Sequence, residues 1–264
     1  AAVLALLATA LVHAGANVIN DVGDELGGTD RINTERIFPY TGGSRVIQNG
    51  VMDLRQMHRL GWGLIGIAAL LGVLLALIKG PAVLLLGLAG IALSVAYSLP
   101  PLKLASRGVG ELTIAVGFGV LPVMGSSWLQ TGVFDGAAAW ISLPPAMWVT
   151  AILLINEVPD MRADALAGKR TLPVRLGVRG TRMVYLLLQL FALAAVVIMV
   201  TRDQLPAIAV LVPVLLAALA VAASRGIGSA SGPEREKLRA SIEKTLVIHA
   251  LGCLWIAACA AITP

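Results

Sequence analysis

Ile19-Asn20-Asp21-Val22-Gly23-Asp24 closes the first apolar run of this chain, and Ile155-Asn156-Glu157-Val158-Pro159-Asp160 closes another far along it. Four of the six positions are identical, and Asp21 pairs with Glu157, a carboxylate in both copies. Each copy stands where an apolar run of about 20 residues, the length that carries a helix across a bilayer, gives way to a polar, Arg-rich loop. Acidic side chains at membrane depth are costly and mark a site more often than a surface. Two such clusters facing one cavity can hold divalent metal ions and, through them, a phosphorylated substrate.

The rest of the chain supports that placement. Of 264 residues, 58% are hydrophobic and only 13% are charged, against about 25% charged in a soluble domain. Apolar runs recur at roughly 1–19, 58–78, 81–98, 110–131, 138–157, 180–200, 205–223 and 244–262. Strands would leave backbone groups unpaired in lipid, and the alternating pattern of a barrel is missing, so each run is expected to be a helix. The expected fold is all-α: a polytopic membrane bundle of eight visible spans around a central cavity. Pro122, Pro144, Pro145, Pro206 and Pro213 lie in or beside these spans and should kink or start helices.

The formal net charge of +5 does not point to nucleic acid, because the cations are confined to a few loops. All but Lys79 and Arg202 of the 20 Lys and Arg residues lie in or flank the loops at 20–57, 99–109, 158–179 and 224–243. The positive-inside rule puts those loops in the cytoplasm. Both acidic motifs then sit at cytoplasmic ends of spans one and five, which run in the same direction. A single domain over 1–264 with a parallel pseudo-repeat, about 1–131 and 132–264, follows. The localisation expected is the inner, cytoplasmic membrane. Cys253 and Cys259 have the spacing of no metal motif, and two small packed residues is the simpler reading.

Asn17, Asn20, Asp21 and Asp24 recur at three- and four-residue spacing, which gathers them on one helix face. Asp30 follows Gly27-Gly28, which can fold the chain back toward the helix end. Asn156, Asp160 and Asp164 keep a strict four-residue period, one helix face again. Mg²⁺ takes oxygen ligands, keeps several waters and uses one or two carboxylates plus substrate phosphates. Two sparse carboxylate sets suit Mg²⁺–diphosphate better than a bare metal cage. Arg162, Lys169 and Arg170 follow closely and can neutralise phosphate oxygens; Arg175, Arg179 and Arg182 read as ordinary cytoplasmic anchors. The Pro100-Pro101 loop is stiff and extended and can place Tyr97 and Lys103 over a cavity mouth. Thr41-Gly42-Gly43-Ser44-Arg45 can offer backbone N–H groups to an anion, without the spacing of a P-loop. His13 shares the face of Asn17, where a packed, satisfied histidine fits better than a catalytic one.

Four separated pieces, in order, resemble the UbiA superfamily of intramembrane prenyltransferases. They are Asn20-x-x-x-Asp24 with Asp30, the Tyr97–Leu104 loop, Arg107–Glu111, and Asn156–Asp164 followed by Gly168–Gly177. The step from Asp24 to Asp30, the Thr-Gly-Gly-Ser-Arg turn and the Pro-Pro-Leu-Lys loop look most like the branch that prenylates 1,4-dihydroxy-2-naphthoate in menaquinone synthesis. The resemblance implies a polyprenyl diphosphate donor, an aromatic acceptor, contact with the lipid bilayer and Mg²⁺ as cofactor, two ions in all. It implies Asp21, Asp24, Asp30, Asp160 and Asp164 as metal ligands. Asn20, Asn156, Arg45, Lys103, Lys169 and Arg170 would hold the diphosphate, and Asp24, Asp160, Lys103 and Tyr97 would act in catalysis. The family bundle has nine helices, so the span absent here is expected to be the first.

Other readings stay open on sequence alone. The same chemistry can serve 4-hydroxybenzoate, a chlorophyllide, a haem or a glycerol phosphate lipid. A cation-coupled transporter also uses repeated acidic sites, but usually near mid-bilayer on broken helices.

Overall fold

The structure is a computed structural model that describes residues 1–228 and 230–262. Every long element is a helix, and the described residues contain no strand. Helix α1 is Ala2–Gly27. Gly28 ends it with φ at +78°, a left-handed conformation that glycine adopts without steric cost, and its N–H donates to Glu25 O. The chain then folds into the short α2, Thr29–Ile32. Helix α3, Leu54–Lys79, starts in a capping box between Asp53 and Gln56. Helix α4 is Ala82–Ser98, and a 3₁₀ turn at Leu104–Arg107 leads to α5, Gly110–Thr131.

The remaining elements are α6, Gly136–Asn156; the short α7, Met161–Leu166; α8, Leu172–Thr201; α9, Leu211–Ser224, entered through a 3₁₀ turn at Ala207–Val210; and α10, Glu234–Ala261. Among the described residues, seven helices are long and apolar enough to cross a membrane. The segment expected at 81–98 is an apolar helix of 17 residues, short of the length of the others. The expected eight spans thus resolve into seven long ones and this shorter helix. Large apolar side chains stand exposed on the spans, Leu77 at 80% and Leu85 at 72% among them. Such exposure suits lipid rather than water.

Helices α1, α3 and α4 pack together on one side, and α6, α8, α9 and α10 on the other, with α5 between them. The deepest core belongs to the second group: Trp148, Leu154, Tyr185, Ile248 and Ile256 are all buried. Polar side chains also join these helices; the Tyr185 and Thr245 hydroxyls hydrogen-bond at 2.8 Å, and Trp255 Nε1 donates to Ala209 O. Within α5 the residues Ala115–Val120 form a π-helical stretch. Pro122 follows at once; with no N–H to give Phe118 O and a ring that crowds that carbonyl, it favours such a widened turn. The wide turn presents Gly117 and Phe118 to the central cavity.

Candidate active site

A cavity of about 560 Å³ lies between the two helix groups. Its polar end gathers Asn17, Asn20, Asp21 and Asp24 from α1, Asp30 from α2 and Asn33 just beyond it. From the second motif come Asn156, Glu157, Asp160, Asp164 and Lys169. The other end is apolar and runs between α1, α4 and α5, with Val12, Leu93, Ile114, Phe118 and Pro122 on its walls. His13 stands in this apolar part, edge-on to Phe118 with ring centroids 5.1 Å apart. It is exposed to the cavity, not packed away as expected.

The first motif keeps its helix throughout, so Asn17, Asn20, Asp21 and Asp24 share the face that its spacing predicts. The second motif does not. Helix α6 stops at Asn156, Glu157–Asp160 form turns, and Asp164 lies inside the short helix α7 that starts at Met161. The four-residue period of Asn156, Asp160 and Asp164 is therefore not one continuous helix face, although all three reach the same cavity. Pro159 is the reason: inside a helix it would leave Ile155 O without its donor and crowd it.

Each aspartate of the cavity has a definite holder. Ser44 donates to Asp21 through its hydroxyl and, at 3.4 Å, its backbone N–H. Gln48 Nε2 donates to Asp30 Oδ2 at 3.2 Å and to Glu25 Oε2 at 3.0 Å. Asn33 Nδ2 crosses the cavity to Asp160 Oδ1 at 2.7 Å. Lys169 Nζ lies 2.5 Å from Asp24 Oδ1 and 3.5 Å from Asp164 Oδ1. Asn20 Nδ2 donates to Ser98 Oγ at 3.3 Å, at the end of α4.

Burial governs the protonation of these groups. It pushes the Asp160 carboxyl up to about 7, against the opposing hydrogen bond from Asn33. Burial, then the like charge of Asp24, pushes Asp30 up to about 6. Asp164 is raised by burial as well, with Lys169 opposing. Glu157 is raised far above the usual carboxylate range, by burial and then by Glu111 beside it. For Lys169 burial works against the ammonium, but Asp24 and Asp164 outweigh it, and its pKa ends above the ordinary lysine value.

Three residues expected at the diphosphate are not on the cavity wall. Lys103 has φ at +43° and opens the 3₁₀ turn, and its side chain does not line the cavity. Arg170 is exposed; its N–H donates to Ser106 O at 2.9 Å, and its carbonyl accepts from Arg175 Nε. Arg45 turns its guanidinium to the backbone, reaching Asp30 O, Asn33 O at 2.7 Å and Gly42 O at 3.1 Å. That fork clamps the loop carrying Asp30 and Asn33. Tyr97 does line the cavity. Arg175, expected as a plain anchor, ties two loops by donating also to Arg107 O at 2.8 Å. Sequence reasoning missed Asn33, and it assigned no site role to Glu157, which it paired with Asp21 in the acidic cluster, or to Glu111, which it named only in the Arg107–Glu111 stretch.

The matching family model, described as the UbiA prenyltransferase family, covers residues 1–261. The chain belongs to the UbiA prenyltransferase family. It is 32% identical over 200 residues to the 1,4-dihydroxy-2-naphthoate octaprenyltransferase of Haemophilus influenzae, covering 70% of this chain and 60% of that protein. The enzyme of the same name from Escherichia coli is 31% identical over 190 residues, with 67% of this chain and 57% of that protein covered. The chain thus spans about 60% of the length of these relatives. Among solved structures, the apo UbiA homolog from Aeropyrum pernix K1 superposes with a TM-score of 0.74 at 19% identity, over 97% of this chain and 88% of that one. That likeness establishes a shared UbiA fold.

The donor set suits Mg²⁺. It consists of carboxylate and carboxamide oxygens, and Asn156 Oδ1 is buried without a hydrogen-bond partner in the protein. Among the described residues no three His, Cys, Asp or Glu side chains close on one point as a ready-made metal cage. Ions held here would complete their shells with substrate oxygens and water.

Proposed function

We propose that this protein transfers a polyprenyl group from an allylic prenyl diphosphate to an aromatic acceptor, 1,4-dihydroxy-2-naphthoate, in menaquinone biosynthesis. One observation carries the reading: two acidic motifs, over a hundred residues apart, line a single cavity whose other end is apolar. That polarity matches a substrate with a diphosphate head and an isoprenoid tail. The names of the curated relatives support the choice of acceptor. A transporter finds no comparable support, since an ion needs no apolar extension beside its site.

Asp24, Asp160 and Asp164, with Asp21 and Asp30 behind them, would hold two Mg²⁺ ions, which supply positive charge to the diphosphate as its allylic C–O bond breaks. Asn20 and Asn156 offer amide groups to the diphosphate, and Lys169 offers an ammonium. Tyr97, which lines the same cavity, would act beside the reacting carbon. The apolar wall of Leu93, Ile114 and Phe118 houses the proximal isoprene units and keeps water from the allylic cation. The acceptor's electron-rich ring carbon then attacks that cation, and the ring proton or carboxyl group leaves to restore aromaticity. The clustering of Lys and Arg in four loops supports a cytoplasmic orientation of this chemistry at the inner membrane, and the matching acidic motifs support α1 and α6 as equivalent helices of a parallel pseudo-repeat.

The test is transfer from a labelled prenyl diphosphate with each acceptor supplied separately. Mg²⁺-dependent product is expected from 1,4-dihydroxy-2-naphthoate, lost with a chelator, with little from 4-hydroxybenzoate. Product from 4-hydroxybenzoate alone would reject the acceptor and keep the transfer reaction.

A further inference from the structure

Lys169 connects the two acidic motifs. Its Nζ lies 2.5 Å from Asp24 Oδ1 on α1 and 3.5 Å from Asp164 Oδ1 on α7. The lysine side chain is 15% exposed, Asp24 22% and Asp164 6%, so solvent screens the bridge weakly. The backbone fixes the lysine in place. Gly168 turns with φ at +77°, and the Lys169 N–H donates to Asp164 O at 2.8 Å. The ammonium therefore stands between one carboxylate from each wall of the cavity, at the position from which a divalent cation would bridge the same two walls.

The ammonium 2.5 Å from Asp24 Oδ1 competes with a divalent cation for that carboxylate's charge, and two cations a few ångströms apart in a half-buried cavity repel strongly. A metal entering alone must displace Lys169 and leave a buried ammonium without its partners, which is costly. A diphosphate changes the balance. Its oxygens give both cations new anionic partners, so the ammonium can leave the carboxylates for a phosphoryl oxygen as the metal takes its place.

We propose that Lys169 is a built-in competitor of the divalent cation that makes metal binding conditional on the diphosphate. The inference rests on the metal–diphosphate reading above and assigns Lys169 a second role within it. By linkage, pyrophosphate must tighten metal binding by the same factor that metal tightens pyrophosphate binding.

The experiment is Mn²⁺ binding followed by electron paramagnetic resonance on the purified protein in lipid nanodiscs, with and without inorganic pyrophosphate. Wild type should bind Mn²⁺ weakly alone and at least about tenfold tighter with pyrophosphate. Lys169→Met should bind Mn²⁺ alone about tenfold tighter than wild type and gain less from pyrophosphate. A second measurement uses the unaltered protein: amine acetylation read by mass spectrometry should label Lys169 faster when saturating Mn²⁺ is added alone and slower once pyrophosphate joins it. Equal Mn²⁺ affinity in the two proteins without pyrophosphate, or Lys169 labelling indifferent to Mn²⁺, would overturn the competition. If both proteins still bind Mn²⁺ with pyrophosphate, the metal–diphosphate reading survives that result. If neither binds Mn²⁺ even with pyrophosphate, both inferences fall.

Discussion

Asn20 and Asp24 sit inside an unbroken helix, α1, whereas Asn156 is the last residue of α6, and Asp160 and Asp164 follow on a turn and a separate short helix. The two stretches agree at four of six positions, so the difference comes from few residues. Position five of the motif is Gly23 in the first copy and Pro159 in the second. Gly23 packs so close to α4 that an added Cβ would lie 2.9 Å from Ser98 O. Pro159 forbids the helix from continuing. The first motif therefore delivers its acids from a helix face braced by its own loop, through Ser44, Arg45 and Gln48. The second delivers them from an unwound segment, and its partners include residues across the cavity: Asn33 on Asp160, and Asp24 beside the lysine that also meets Asp164. Similar motifs can reach one cavity by different backbones, and the more irregular one leans on the other for its positioning.

The strongest test of that equivalence removes one acid from each side. Asp24→Ala and Asp160→Ala should each lower turnover by about a hundredfold or more, the scale of losing one charge-stabilising group in a water-poor site. Size-exclusion and circular-dichroism profiles should stay those of wild type. Near-normal turnover in either folded variant would mean that its motif is scenery.

A second test exchanges the backbones. Gly23→Pro should break α1 in its last turns, with a loss of about 3 kcal/mol or more, read as a lower unfolding temperature in nanodiscs. Pro159→Ala should change stability far less, because the segment is already non-helical there. Equal effects at the two positions would show that Gly23 and Pro159 do not set the difference between the motifs.

The smallest effect concerns protonation. Asp160 is pushed up to about 7 and Asp30 to about 6. In the folded protein these carboxyls hold protons to higher pH than in the unfolded chain. Their favourable contribution is complete below the ordinary aspartate value and is lost as pH rises through about 6 and 7. In chelator, the unfolding temperature should rise by a few degrees between about pH 8 and pH 5, and Asp160→Asn should flatten the upper part of that rise. Turnover should move the opposite way, because a protonated carboxyl is a poor metal ligand. A stability profile that falls toward pH 5 would contradict the burial of these carboxyls.

The helical class and membrane nature were legible at once, because apolar runs near bilayer length leave the backbone few alternatives. Helix ends were less so: α1 runs on to Gly27, beyond the apolar run that ends near residue 19, since polar residues on a cavity face extend a helix without registering as apolar. Asn20, Asp24, Asp160, Asp164 and Lys169 could be named as neighbours because type and spacing limited the chemistry they could share. The placements of Lys103, Arg45 and Arg170 could not, because a long cationic side chain in a loop turns toward whichever oxygens the fold brings near. Arg45 found three backbone carbonyls, and only the folded loop supplies them.

The sequence by itself determined that this is an all-helical membrane protein with two related acidic motifs, through composition, period and residue type, which are local properties. Tertiary structure alone decided that the motifs meet in one cavity and that Lys169 bridges both. Those outcomes depend on how α1, α5 and α6 pack against one another, and contacts between residues more than a hundred positions apart leave no period in the chain that forms them.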